Sequence, residues 1–191
     1  TAIGYLQSIR GRLNLTIRPH CLVHRVLIEN GRAIGVEVES GGEVQQVYGD
    51  EVILSAGAVQ SPPILLRSGI GGVEDVARLG LELKQELPGV GHNLIEHPMA
   101  GILCAPKPGV IDMDKPTIQM LLRYTADGGE ENDMQMYLMN HVPLYDLPEM
   151  METFGVEVAF GVFPGLQRPE SRGRIHVEST DPSVAPRIEL N

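Results

Sequence analysis

The stretch Glu51–Gly71, EVILSAGAVQSPPILLRSGIG, limits the fold more than any other part of the chain. Val52-Ile53-Leu54 is an apolar run of the kind that forms a strand buried on both faces. It stops at Ser55-Ala56-Gly57, three small residues that let another group come close to the main chain. Ser61 is then placed to cap a helix that opens with Pro62 and Pro63, carries Ile64, Leu65 and Leu66, and ends before Gly69. A strand, a small-residue turn and a helix make the layout of α/β folds that bind ligands at the carboxyl ends of their strands. As local structure alone, it is a single βα unit.

Upstream, Ile3, Leu6 and Ile9 recur at helical spacing within Thr1–Gly11, with Gly11 as the stop. Leu13–Ile17 alternates as a short strand. Val23–Ile28 and Ala33–Glu39 are two further strand patterns, joined through Asn30-Gly31, whose residues tolerate the positive φ of a type I′ turn. Gly41-Gly42 makes a second turn, and Glu43–Tyr48 returns as a third strand. The expectation is a three-stranded antiparallel meander lying between two parallel neighbours, Leu15–Ile17 and Val52–Leu54. Downstream, Val73–Leu79 reads as a helix closed by Gly80. Beyond Pro98 short apolar runs, at 101–104, 134–139, 156–163 and 174–177, alternate with Pro- and Gly-rich turns. One helical stretch is expected around Thr117–Tyr124, on one face of an antiparallel sheet. Gly128–Asp133 is the candidate mobile loop.

Gly57–Gly71 closely resembles a signature of the glucose–methanol–choline (GMC) family of flavin-dependent oxidoreductases. A second ordered match follows: Leu87-Pro88-Gly89-Val90-Gly91-His92-Asn93-Leu94-Ile95-Glu96-His97-Pro98 is similar to that family's LPGVGxNLxDHP segment. Glu96 stands where Asp is usual, and His92 fills a variable place. A third, Ser171–Val177 followed by Ser179-Thr180-Asp181-Pro182, resembles the family's C-terminal substrate-domain block. Weaker likeness runs from Ala2 to Asn191. The resemblance implies a central fragment, α/β plus α+β in class. It would comprise part of a Rossmann-like FAD-binding domain (1–98) with the meander, then part of an antiparallel-sheet substrate-binding domain (99–191).

Of the 191 residues, 42% are apolar, and 25 acidic against 15 basic residues give a formal charge of −10. That balance argues against nucleic acid or an anionic membrane as partner. No segment reaches the roughly 18 consecutive apolar residues of a membrane helix. Cys21 and Cys104 have no framework spacing, and no secretory signal is recognisable, so a reducing, cytoplasmic setting is expected. The Asn14-Leu15-Thr16 sequon begins an apolar strand and is read as chance.

In the GMC family a flavin takes a hydride from a carbinol carbon while a histidine, paired with histidine or asparagine, removes the hydroxyl proton. That pair and the GxGxxG phosphate turn find no match here, so no catalytic residue is assigned to this chain. The resemblance assigns cofactor contacts to Val23, through its main chain beside the adenine, and to Ser55, Ala56 and Gly57 along the adenosine–pyrophosphate half. Asn93 and His97 either line the flavin cleft or tie down a loop. His20, Cys21 and His24 mimic a metal pattern, but a spacing of four on a strand separates the histidines by about 13 Å, and no metal site is expected. Met99, after His97-Pro98, stands where the choline-oxidising branch is expected to carry an acid facing the substrate's ammonium. A thioether offers dispersion and no charge, which favours a neutral alcohol. The reading is a fragment of an FAD-dependent alcohol oxidase or dehydrogenase acting on a small alcohol. A hydroxynitrile lyase-type relative and a catalytically inert piece are the alternatives. The electron acceptor, flavin attachment and oligomeric state are not legible.

Overall fold

The computed structural model describes residues 2–191, so Thr1 lies outside the description. A π-helical turn over Ala2–Leu6 runs into one α-turn, Gln7–Ile9 (α1). Then come β1 (Leu22–Glu29), β2 (Arg32–Ser40) and β3 (Glu43–Tyr48), followed by α2 (Gly57–Arg67), β4 (Ile70–Gly71), α3 (Val73–Arg78) and β5 (Gln85–Glu86). Next are β6 (Ile102–Cys104), β7 (Ile118–Tyr124), β8 (Met134–Pro143), α4 (Pro148–Phe154) and β9 (Val158–Leu166). The chain closes with β10 (Arg174–His176) and β11 (Arg187–Glu189). Two compact units result, one made of Thr1–Leu94 with Gly173–Asn191 and the other of Ile95–Arg172.

In the first unit, β1-β2-β3 is the expected antiparallel meander. Asn30 and Gly31 both sit at positive φ, 50° and 74°, which is the condition for the tight turn between β1 and β2. The buried residues of β1 and β2 are Val26 and Val38, at 7% and 5% exposure, together with Gly35, and the residues between them are mostly half-buried. Behind them a small core forms from Leu66 of α2, Val76 of α3 and Val177, with Leu79, Leu81 and Val90 packed against it. Each such side chain contributes about 1.5–3 kcal/mol on burial. The three motif segments, two near the middle of the chain and one near its end, therefore meet in one core.

The expected parallel pair is not found. Among the described residues neither Leu13–Ile17 nor Val52–Leu54 joins a ladder, and Ile53 is 77% exposed. A strand apolar on both faces needs neighbours on each side and layers above and below, and this chain's own elements do not supply them there. The helix after it also starts earlier than expected. It begins at Gly57, so Ser61 lies in its second turn, where its Oγ accepts the Ala56 N–H at 3.1 Å. Pro62 and Pro63 fall inside, and the carbonyls four residues back, of Ala58 and Val59, lose their helical donors.

The second unit is a four-stranded antiparallel sheet in the order β6-β9-β8-β7. Thr117–Tyr124, expected as a helix, is instead β7, paired from Ile118↔Met139 to Tyr124↔Met134. Its Met, Leu and Arg residues are good helix formers, but the ladder with Met134–Met139 of β8 outweighs local preference. α4 was not foreseen, although Pro148 opens it and Gly155, at φ 65°, closes it in the left-handed conformation. The Gly128–Asp133 turn is closed on itself: Asp133 Oδ1 accepts the Ala126 N–H and Thr125 Oγ1 the Asn132 N–H. Among the described residues, no helix is long and apolar enough to cross a membrane.

Candidate functional site

The two ends of α2 do different work. At its C-terminal end, Arg67 Nε donates to the His24 carbonyl at 2.8 Å, and the Val26 N–H donates to Ser68 Oγ at 2.8 Å. Ser68 Oγ in turn donates to the Ile64 carbonyl at 2.6 Å. β1 is an edge strand of the meander, and these side chains satisfy main-chain groups on its open side. Burial pulls the Arg67 guanidinium pKa down, while the nearby Asp181 carboxylate pushes it up. Val23, one residue before His24, lies half-buried on β1 opposite Val38.

The N-terminal end of α2 is left open. Ser55, Ala56 and Gly57 are all exposed, no side chain caps the helix, and its first turn carries no acid. Gly57 has φ 84°, and nothing lies within 4 Å of where a Cβ would project. A helix start at exposed residues, with no side-chain cap and no carboxylate in its first turn, suits a negatively charged group, although the Ala56 N–H is already taken by Ser61. Ser55, Ala56 and Gly57 together form this open end.

Asn93 belongs to the second motif segment and is held in the left-handed region, φ 57°. On one side of it the Gly91 carbonyl accepts from Ile175 N–H at 2.7 Å. On the other, Leu94 and Gly173 exchange two main-chain hydrogen bonds, of 3.0 and 2.7 Å. The side chains converge as well. Asp75, the third residue of α3, is only 9% exposed. Its Oδ1 accepts from Arg174 at 2.5 Å and from Arg78 at 3.0 Å, and its Oδ2 lies 3.5 Å from His92 Nε2. Burial pushes the Asp75 pKa up, but Arg174, His92 and Arg78 together outweigh it and hold the carboxyl below its usual range. One carboxylate therefore ties together α3, the Gly91–Leu94 loop and β10.

In the second unit, His97 is exposed, and its N–H donates to Glu96 Oε1 at 2.9 Å. Met99, 55% exposed, bridges to Gly165 of β9, and its side chain covers that glycine. By strand alternation Met99, Gly165 and Phe163 share one face of the sheet, while Leu138, Phe160 and Val162 share the other. Around Leu138 and Phe160 of that second face a cavity of ≈ 260 Å³ is lined also by Val110, Ile111, Gln119, Met139 and Asn140, with no charged side chain. His141 is buried, its Nε2 2.9 Å from Thr117 Oγ1 and its Nδ1 without a partner among the described residues.

Of the sequence-assigned residues, Ser55, Ala56 and Gly57 gather at one helix end, Val23 lies on the strand clamped at the other, and Asn93 tops a pinned loop. Arg67, Ser68, Asp75 and Arg174 were not singled out. Arg67-Ser68 falls in the motif directly after the helical run, where a C-terminal polar pair has carbonyls to serve. Asp75 sits where an acid reads as a partner of the helix dipole, so only the fold reveals its other partners.

The GMC oxidoreductase family model matches residues 1–99. An oxygen-dependent choline dehydrogenase of Photobacterium profundum is 35% identical over 100% of this chain and 37% of its own length. An uncharacterized GMC-type oxidoreductase of Rhodococcus erythropolis is 34% identical over 100% of this chain and 36% of its own. Among solved structures, pyridoxine 4-oxidase from Mesorbium loti superposes with a TM-score of 0.77 at 25% identity, over 100% of this chain and 37% of the other. A formate oxidase gives a TM-score of 0.81 at 22% identity, over 95% and 41%, a likeness of fold. The chain spans well under half the length of these relatives, and it belongs to the GMC oxidoreductase family.

Proposed function

We propose that this chain is the central part of an FAD-dependent enzyme that oxidises the CH–OH group of a small alcohol to a carbonyl. The observation that carries the reading is the meeting of the three motif segments around one core, with an open helix start at Ser55-Ala56-Gly57 and Asn93 on a pinned loop. In this reading the first unit holds the cofactor through Val23, Ser55, Ala56, Gly57 and Asn93. The second unit, with His97 and Met99 at its start, helps to enclose the substrate. When bound, the flavin supplies a two-electron acceptor for the hydride. The chain's own residues bind and orient, and the proton-accepting base comes from elsewhere in the polypeptide. In the whole enzyme the apolar runs 13–17 and 52–54 take their sheet neighbours from the same source.

For the alcohol we propose a neutral molecule, aliphatic or aryl. Met99 brings no charge to its face of the sheet, and the cavity around Leu138 and Phe160 has none in its lining. A quaternary ammonium needs a carboxylate or aromatic faces. The second reading is choline itself, favoured by relatives named oxygen-dependent choline dehydrogenase at 35% and 36% identity. The full-length protein decides: kcat/KM on an uncharged alcohol of choline's size should exceed that on choline about tenfold, a difference near 1.4 kcal/mol. A tenfold advantage for choline sinks the neutral-alcohol reading. Anaerobic bleaching of the flavin by the alcohol separates an oxidoreductase from a lyase.

A further inference from the structure

The Gly91–Leu94 loop is fastened far more heavily than its length requires, and the residue at its apex makes no use of the fastening. Asn93 is exposed, its side chain enters no hydrogen bond among the described residues, and its backbone sits in the left-handed region. Asparagine tolerates that region better than other non-glycine residues, so the conformation fits the residue, and the surroundings fix where the loop places it. Those surroundings are three main-chain hydrogen bonds to Gly173 and Ile175, plus the Asp75 carboxylate. One oxygen of Asp75 faces His92, the residue before Asn93, and the other holds Arg174, which lies between the two residues that pin the loop. Asp75 touches neither Asn93 nor the open helix start, but it grips both flanks of the loop.

We propose that Asp75 is a positioning residue for Asn93. Through His92 and Arg174 it fixes the loop so that the Asn93 amide meets a bound FAD with its geometry already set. The inference rests on the cofactor reading above and deepens it: Asn93 makes the contact, and Asp75 fixes where the contact falls. Asp75→Asn keeps the size of the side chain but cannot accept hydrogen bonds at both ends, so the grip on one flank is lost.

The test is a double-mutant cycle in the full-length holoenzyme, read as FAD affinity by titrating apoprotein and following flavin fluorescence. N93A should weaken FAD about tenfold, the worth of one hydrogen bond. D75N should weaken it by a similar factor, and the double variant should be within about twofold of N93A alone, because both act through one contact. Multiplying effects, about a hundredfold in the double variant, would mean that Asp75 serves general stability only, and would overturn the proposal. So would an unchanged FAD affinity in D75N or in N93A. Should D75N not fold, H92A removes only the loop-side limb and leaves the Asp75–Arg174 and Asp75–Arg78 pairs intact. The same cycle with N93A then applies, with the same criterion. Purified enzyme that carries no flavin fails the functional reading itself, whereas flavin-bearing enzyme with additive variants fails the inference alone.

Discussion

Asp75 is a buried charge whose three cationic or potentially cationic neighbours all come from different places in the chain. Its folded pKa is depressed, so its contribution to stability is present above the unfolded value, about 3.9, and is lost as pH falls through the folded value. The urea midpoint of the protein should therefore drop steeply below about pH 4, and D75N should flatten that drop. At pH 7 the same variant should lose about 2 kcal/mol. That is less than the 3–5 kcal/mol of a fully buried pair, because Arg78 and Arg174 remain partly in solvent. A D75N protein with an unaltered acid limb would show that another carboxylate sets it. None of this was legible in the sequence, where an acid in the first turn of a short helix has a sufficient local explanation.

The joint between α2 and β1 is the element-scale counterpart. Ser68 accepts from a main-chain N–H and returns a hydrogen bond to its own helix, so Ser68→Ala leaves the buried Val26 N–H unsatisfied. The expected loss is about 1–3 kcal/mol in chemical denaturation, with faster amide exchange confined to β1. Uniform exchange along β1–β3 and an unchanged midpoint would deny the joint that role. Elements whose pattern and turn chemistry agree were legible before any fold was known: the Asn30-Gly31 hairpin, α3 closed by Gly80, and the strands β6, β8 and β9 of the second unit. Those whose outcome hangs on distant partners were not. Thr117–Tyr124 becomes a strand because β8 lies beside it, and Val52–Leu54 lacks a ladder because nothing among the described residues pairs with it.

At the scale of the whole molecule, the family was legible from two motif segments, while the way they meet was not. The chain taken alone should bind FAD weakly, with a Kd above 1 μM, since the helix start before Ala58 is only one of the anchors a dinucleotide uses and no GxGxxG turn occurs in the sequence. Calorimetric titration of residues 1–191 checks this, and a submicromolar Kd would mean that the pyrophosphate lies on α2 itself. Because Arg67 and Ser68 hold β1 by its backbone, the joint is indifferent to which side chains β1 carries. The demands on its side chains come from packing instead, above all at the buried Val26. Proline at 26, which has no N–H to give, is the substitution that the joint itself forbids.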